Sequence, residues 1–135
     1  LVYVGVESKH TDVLANINRA TVTQDDQYET IKKLEEKNIF VKSMFMIGNP
    51  EDNEDKIKET IDYAKKLHNS LAQFSVFTPY PGTHKLENYN QYNLVFKHKY
   101  LDAHKVNNLK SLAYSRFYLR PKSAKLALMY IKNIF

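Results

Sequence analysis

The feature that most constrains the fold is an alternation of buried strands with amphipathic helices. β-Branched, aromatic and aliphatic residues fill three short runs, at residues 1–8, 40–47 and 72–78. Runs of this length and composition are typical of strands that are covered on both faces. Helical patterns lie between them, so the sequence predicts an α/β fold in which parallel strands are joined by crossover helices.

Caps and apolar spacing locate the helices between the strands. Thr11 is expected to cap a short helix over residues 12–18, and Thr23 to open a second helix that stops at Asn38. A third helical pattern, acidic in its first turn, covers residues 52–68. These helices account for most of the chain between the predicted strands.

The last part of the chain differs from the first in pattern and in charge. After an irregular segment, helices are predicted over residues 102–118 and, strongly apolar, over residues 123–135. Residues 84–135 have ten Lys and Arg against two Asp and Glu, whereas residues 1–83 have a slight acidic excess. We therefore divide the chain into a core over residues 1–83 and a basic helical segment over residues 84–135.

The basic segment leaves two interpretations open. Lys and Arg interleaved with Tyr and Phe can contact phosphates and stack on bases, as in a nucleic-acid-binding module. A solvated face, or one that complements an acidic partner domain, explains the same residues. We prefer the second interpretation over nucleic acid.

Composition argues against several kinds of site. The chain has no cysteine, so it forms no disulfide and supplies no thiolate to a metal. Its five histidines lack the short spacing of a zinc site, so we expect no metal ligand among them. No apolar run approaches the roughly 18 residues of a membrane span, and we expect a cytoplasmic location.

Polar or turn-forming residues follow each predicted strand. Glu7 and Ser8 stand at the carboxyl end of the first strand, Gly48 follows the second, and a Pro- and Gly-rich turn at residues 79–83 follows the third. The carboxyl ends of parallel strands meet at one edge of a sheet, where α/β proteins bind ligands. The sequence therefore predicts a ligand site that all three turns surround.

Five strings resemble a known family. In chain order they are GVES at residues 5–8, DVLANINRAT at 12–21, FMIGNPED at 45–52, QFSVFTPYPGT at 73–83 and RFYLRP at 116–121. In order and spacing the chain resembles the C-terminal half of a radical S-adenosylmethionine (SAM) enzyme. It most resembles the subgroup with an N-terminal cobalamin-binding domain, which includes the anaerobic magnesium-protoporphyrin ester cyclase type.

The resemblance implies a fold, a reaction and partners. The fold is a partial, TIM-like (β/α)6 barrel, of which this chain supplies parallel strands four to six, followed by C-terminal helices. In this family a 4Fe-4S cluster reduces SAM to a 5′-deoxyadenosyl radical, which abstracts hydrogen from a small-molecule substrate and leads to methyl transfer or cyclisation. The implied cofactors are SAM, the cluster and, through a further domain, cobalamin; the implied partner is the N-terminal half of the barrel.

The resemblance also assigns cofactor-binding roles. Glu7 matches a polar residue that contacts the ribose or the methionine part, and Arg19 matches a basic residue that pairs with the methionine carboxylate. Met46 matches an apolar residue that packs on adenine before a glycine, and backbone groups after the third strand meet the adenine edge. The implied cofactor-binding residues are Glu7, Ser8, Arg19, Met46, Gly48, Thr78 and Tyr80.

The sequence departs from the family in three places. Where the family often has GSD after the Glu-Ser pair, this chain has KHT at residues 9–11 and loses a glycine. The cluster motif CxxxCxxC is absent, and the family's GLPGET turn reads GNPEDN at residues 48–53. We therefore expect a fragment that is catalytically inert alone, and poorly soluble or partly folded because its first strand leaves an apolar edge. The alternative is a non-catalytic basic binding module derived from the same fold.

Overall fold

The computed structural model of the chain describes residues 1–19, 23–80 and 97–123. The elements, in chain order, are β1 (Val2–Glu7), α1 (Thr11–Asn16), α2 (Gln24–Glu36), β2 (Val41–Ile47), α3 (Glu54–Lys66), β3 (Leu71–Val76) and α4 (Ala103–Tyr118). No helix in these three ranges has both the length and the apolar character needed to cross a membrane. Most of the irregular segment and of the helix predicted over residues 123–135 lies outside the described residues.

The strands form a parallel sheet in the order β1, β2, β3. Val4 lies opposite Ser43, which in turn lies opposite Ala72, so the three strands are in register across the sheet. Each connection returns the chain through helices to the start of the next strand. The predicted α/β fold with a parallel sheet is confirmed, and the barrel remains a prediction.

The core lies between one face of the sheet and the helices. Phe45 of β2 stacks on Phe74 of β3 with ring centroids 5.1 Å apart, and Phe117 of α4 meets Phe74 edge-on at 6.3 Å. Ile31 of α2 and Ile61 of α3 are buried in the same cluster. Burying one such side chain contributes about 1.5–3 kcal/mol, so this face accounts for much of the stability.

The expected ends of α2 are confirmed, and the expected cap of α1 is wrong. Thr23 Oγ1 accepts a hydrogen bond from the Asp26 N–H at 3.1 Å, and Asn38, with φ 59°, follows the end of α2 in the left-handed conformation. The N-cap of α1 is His10, and Thr11 is already helical. The helix starts earlier than expected because His10 already has the extended conformation that precedes a helix.

α3 begins two residues later than its sequence pattern predicted. Asn53 is the N-cap, and its Oδ1 accepts a hydrogen bond from the Lys56 N–H at 2.9 Å. Asp52 was expected in the helix, but its carboxylate accepts a hydrogen bond from the Asn49 N–H at 2.9 Å. That bond holds Asp52 in the turn that follows β2.

The outer edge of β3 is bonded to side chains of α4. Tyr114 Oη accepts a hydrogen bond from the Phe74 N–H at 3.2 Å and donates to the Phe74 carbonyl at 3.3 Å. Tyr118 Oη makes the same two bonds to Ala72, at 3.2 and 2.8 Å. The two tyrosines therefore supply the hydrogen bonds that a neighbouring strand would make. We call the backbone of Ala72 and Phe74, together with these tyrosines, the closed edge.

β1 forms the opposite edge of the sheet. Among the described residues, no other strand pairs with its outer side. Leu1 and Tyr3 on this strand are 63% and 58% exposed. We call the outer side of residues 1–5 the open edge.

One carboxylate joins the amino ends of β2 and β3. Glu35 Oε1 accepts hydrogen bonds from the Val41 N–H at 2.9 Å and from the Ser70 N–H at 2.6 Å. Glu35 Oε2 accepts the Ser70 hydroxyl at 2.6 Å, and Lys122 Nζ lies 3.6 Å from the same oxygen. α2 is thereby fixed to the starts of two strands.

Candidate functional site

β1 ends in a strained turn at Glu7. The φ angle of Glu7 is 64°, in the left-handed region that residues other than glycine rarely adopt. The register with β2 shifts between Gly5 and Glu7, so β1 leaves the sheet irregularly. Such a conformation costs about 1–3 kcal/mol and is concentrated at functional sites.

Gly5 leaves room for two predicted site residues. A Cβ at this position would lie 2.7 Å from Glu7 Oε1 and 3.5 Å from Arg19 Nη1. The carboxylate and the guanidinium therefore lie where a side chain on residue 5 would otherwise be. The structure brings Glu7 and Arg19 together at the end of β1.

Burial dominates the electrostatics of Glu7. It raises the pKa of Glu7 above its ordinary value, and attraction to Arg19 lowers the same pKa by a smaller amount. A half-buried carboxyl group beside a cation is suited to accept hydrogen bonds from the hydroxyl groups of a ligand. The adjacent guanidinium is suited to pair with a ligand carboxylate.

Ser8 lies beneath α3. Its buried hydroxyl is 3.4 Å from Thr60 Oγ1 and accepts the His10 N–H at 3.2 Å. The Lys9 N–H also donates to Thr60 Oγ1, at 3.3 Å. These bonds attach the loop after β1 to α3, and a contact of Ser8 with the cofactor stays a prediction.

β2 ends in a turn that two buried polar side chains close. Gly48, with φ 76°, has the left-handed conformation that the turn requires. Asp52 Oδ2 accepts hydrogen bonds from the Asn49 N–H at 2.9 Å and from its side-chain amide at 3.2 Å. The same amide donates to the carbonyl of Met46, which is half-buried, at 3.1 Å. We call residues 48–52 the β2 exit loop.

Asp52 is the acidic residue of the β2 exit loop. Burial raises its pKa, and hydrogen bonds from Asn49 and from the Gly48 N–H lower the pKa in part. The sequence pattern placed Asp52 in a helix and gave no indication of its part in the turn. An Asn and an Asp three positions apart after a glycine are the signal that reveals such a turn.

A histidine from the last part of the chain contacts the β2 exit loop. His98 is 9% exposed, and its Nε2 lies 2.7 Å from the Asn49 carbonyl oxygen. Its Nδ1 accepts hydrogen bonds from the Tyr100 and Leu101 N–H groups at 3.0 and 3.1 Å. The sequence pattern did not single out His98, because its partner lies 49 residues away.

The chain after β3 leaves the sheet beside the end of β2. The Phe77 N–H donates to the Ile47 carbonyl at 2.8 Å. Thr78 Oγ1 donates to the Val76 carbonyl at 3.2 Å, and Tyr80 is 69% exposed. The carboxyl ends of β2 and β3 therefore lie at one edge, as the parallel order requires.

The described residues form a cleft elsewhere in the molecule but no metal site. Across residues 1–19, 23–80 and 97–123, no group of three His, Asp or Glu side chains is placed to hold a metal ion. A cleft of about 460 Å³ lies between α2 and α3, lined among others by Tyr28 and Tyr63. It shares no residue with the predicted cofactor site, so it is a separate cleft.

The basic residues of α4 and of the turn after it contact groups of the same chain. Lys105 Nζ lies 2.7 Å from Glu54 Oε2, and Arg116 Nη1 lies 3.8 Å from Asp62 Oδ1. Arg120 lies 3.5 Å from the centre of the Phe117 ring and donates to the carbonyls of Lys65 in α3 and of Asn69 in the turn before β3. These contacts give several basic groups of this segment acidic or carbonyl partners within the same chain.

Comparison with known proteins adds a second kind of observation. The chain is similar to an uncharacterized methyltransferase of Pyrococcus horikoshii, with 32% identity over 148 residues, covering 99% of this chain and 31% of the relative. It is similar to the bacteriochlorophyllide d C-12(1)-methyltransferase of Chlorobaculum tepidum, with 25% identity over 118 residues, covering 78% of this chain and 26% of the relative. The anaerobic magnesium-protoporphyrin IX monomethyl ester cyclase of Cereibacter sphaeroides is 26% identical over 129 residues, covering 87% of this chain and 21% of the relative.

These relatives are methyltransferases and a cyclase. The chain spans about a third or less of the length of each of them. No protein-family model matches the chain. Along most of its length the chain is therefore similar, at low identity, to two methyltransferases and a cyclase.

Proposed function

We propose that this chain is the C-terminal half of a radical SAM barrel and that it binds S-adenosylmethionine at the carboxyl edge of its sheet. The observation that supports this most is the strained Glu7, which lies with Arg19 in the space that Gly5 leaves free. A carboxylate and a guanidinium at the carboxyl end of a parallel strand suit the ribose and methionine groups of the cofactor. Relatives named as methyltransferases and as a cyclase support the same chemistry.

The residues at the end of β1 fit the polar half of the cofactor. Glu7 would accept hydrogen bonds from ribose hydroxyl groups or from the methionine amino group, and Arg19 would pair with the methionine carboxylate. Gly5 supports this fit, because a Cβ there would lie 2.7 Å from Glu7 Oε1 and displace the carboxylate. Ser8 would help to position these groups, because its hydroxyl attaches the loop after β1 to α3.

The ends of β2 and β3 fit the flat, apolar half of the cofactor. Met46 is half-buried, and it stands just before Gly48, whose turn lets the backbone approach a ring closely. Thr78 and Tyr80 follow β3 at the same edge, where their backbone groups would meet the adenine edge. We propose that Met46 packs against adenine and that these turns limit where the ring lies.

The chemistry requires groups that this chain does not supply. When bound beside a reducing 4Fe-4S cluster, S-adenosylmethionine supplies a methyl group or one-electron hydrogen abstraction from a small-molecule substrate. The chain has no cysteine, so the cluster ligands must lie elsewhere in the enzyme, as must any cobalamin-binding domain. We propose that residues of this chain bind and orient the cofactor and that the chain alone is inert.

We further propose that the N-terminal half of the barrel pairs with the open edge. β1 stands at the outside of a parallel sheet, and Leu1 and Tyr3 on it are exposed. A parallel strand from the partner would bury this apolar surface and complete the backbone hydrogen bonds. In this arrangement β1, β2 and β3 belong to the barrel core, and α4 supports them from the closed edge.

Calorimetric titration of the whole chain with two ligands tests the cofactor site. 5′-Methylthioadenosine has the adenine and ribose of S-adenosylmethionine but lacks its carboxylate. Arg19→Gln should weaken binding of S-adenosylmethionine about tenfold and leave methylthioadenosine binding unchanged, since a charge-assisted hydrogen bond contributes about 1.5–3 kcal/mol. Glu7→Gln should weaken binding of both ligands if the carboxylate accepts ribose hydroxyl groups, and of S-adenosylmethionine alone if it accepts the methionine amino group. Gly5→Ala displaces the carboxylate and should give the same pattern as Glu7→Gln.

Lys9→Gln is the matched control for these variants. It removes a charge from the same loop, but Lys9 Nζ pairs with Glu59 of α3 at 2.9 Å, on the helix side. We expect its binding constants to equal those of the unchanged chain. If S-adenosylmethionine does not bind at millimolar concentration, the cofactor proposal is wrong; if all variants bind alike, the residue assignments are wrong.

A further inference from the structure

His98 connects the last part of the chain to the β2 exit loop. Both N–H groups that face its Nδ1 are backbone donors, at 3.0 and 3.1 Å, so Nδ1 is an acceptor and has no proton. The ring proton is therefore on Nε2, which donates to the Asn49 carbonyl at 2.7 Å. The hydrogen-bond network fixes both the tautomer and the orientation of the ring.

The chain on either side of this contact is held in place. Leu101 is buried in the core, and Asp102 Oδ1 caps α4 by accepting the Lys105 N–H at 2.7 Å. On the other side, the carbonyl that His98 contacts also accepts the Asp52 N–H at 2.9 Å. A rigid ring thus joins the start of α4 to the turn that closes β2.

The contacted loop begins at Gly48 and is bonded to Met46, two residues that the proposed function assigns to the adenine side of the cofactor. Asn49 directly follows Gly48, and its side-chain amide donates to the Met46 carbonyl at 3.1 Å. We propose that His98 is a positioning residue, which holds the β2 exit loop in the conformation that binds the cofactor. This inference depends on the proposed S-adenosylmethionine site, and it adds a residue from outside the barrel core to that site.

Two substitutions separate the two hydrogen-bonding roles of the ring. His98→Asn keeps an acceptor near the position of Nδ1, so the turn through Tyr100 and Leu101 can persist, but it does not reach Asn49. His98→Gln places an amide donor near the position of Nε2, so the bond to Asn49 can persist, but it loses the local acceptor. The pair therefore distinguishes contact with the loop from local support of the 98–101 turn.

Amide hydrogen exchange of the whole chain without ligand is the first measurement. His98→Asn should accelerate exchange of the Asn49 and Asp52 N–H groups about fivefold or more, as expected for one lost hydrogen bond, and His98→Gln should leave it near that of the unchanged chain. In ¹⁵N spectra of the unchanged chain, His98 should show a proton on Nε2 alone. His104→Asn, on the exposed face of α4, serves as the control. It should alter neither the exchange of the Asn49 and Asp52 N–H groups nor the ¹⁵N signals of His98.

Titration with S-adenosylmethionine is the second measurement. His98→Asn should raise the dissociation constant about fivefold, and His98→Gln should restore it. Equal loosening of the loop in both variants, or in neither, overturns the positioning role. If the loop loosens as expected but neither the unchanged chain nor any variant binds S-adenosylmethionine, the proposed function fails, and the cofactor role of His98 fails with it. If affinity falls with unchanged exchange, the effect does not pass through the loop and the inference is wrong.

Discussion

The two edges of the sheet are built in opposite ways. At the closed edge, hydroxyl groups of Tyr114 and Tyr118 bond to the backbone of β3, so the chain itself completes the sheet. At the open edge, β1 presents apolar side chains and ends in the strained Glu7. The difference indicates that stability is concentrated on the β3 side, and it leaves the β1 side available for the strand pairing and the ligand binding that we propose.

The largest effect is expected from removing both hydroxyl groups of the closed edge. Tyr114→Phe with Tyr118→Phe leaves four backbone groups of Ala72 and Phe74 without these partners. We expect the free energy of unfolding, measured in urea, to fall by about 2–4 kcal/mol. Tyr3→Phe makes the same change at the open edge and should have no measurable effect. Equal losses at both edges would contradict the comparison.

The sequence predicted the sheet better than its edges. The period of apolar residues located three strands and the helices between them, because burial on both faces leaves a strong local signal. The tyrosines of the closed edge left no such signal, since a tyrosine in an amphipathic helix is typical whether or not its hydroxyl bonds to a strand. Their role depends on the position of α4 beside β3, which is a tertiary property.

The candidate site was predictable in part for a related reason. Glu7 and Gly48 follow strands directly, so the parallel order alone places them at one edge. Asn49, Asp52 and His98 form a buried polar group through contacts that span 49 residues, and no local pattern encodes such a contact. Resemblance to a family suggested Arg19, and the space beside Gly5 explains how it can lie near Glu7.

The second prediction concerns the join between β2 and β3. Glu35→Ala removes the carboxylate that accepts the Val41 and Ser70 N–H groups and the Ser70 hydroxyl. The free energy of unfolding should fall by about 2 kcal/mol, because buried donors lose a charged acceptor. Glu36→Ala, at an exposed neighbouring position, should change it by less than about 0.5 kcal/mol. Similar losses in the two variants would show that the hydrogen bonds of the Glu35 carboxylate do not stabilise the join between β2 and β3.

The third prediction concerns the open edge. Leu1→Lys places a charge at a 63% exposed residue of the open edge, as natural edge strands do, and should reduce self-association of the chain without changing its urea midpoint. Sedimentation velocity at several concentrations measures the effect. Leu119→Lys, at an 84% exposed residue beyond α4, adds the same charge elsewhere and should leave association unchanged. If both substitutions reduce association equally, net charge and not the open edge explains the behaviour.

The smallest effect is expected at an exposed ion pair that helps to hold α4. Hydrogen bonds from Lys105 and Lys58 lower the pKa of Glu54 from 4.5 to about 2. Because the folded pKa is the lower one, the contribution of Glu54 is complete above pH 4.5 and is lost as the pH falls towards 2. Glu54→Gln should therefore lose less stability on acidification than the unchanged chain, in urea titrations above and within this range. The group is exposed, so 1 M salt should reduce the difference, and a difference that persists in salt would contradict the ion-pair origin.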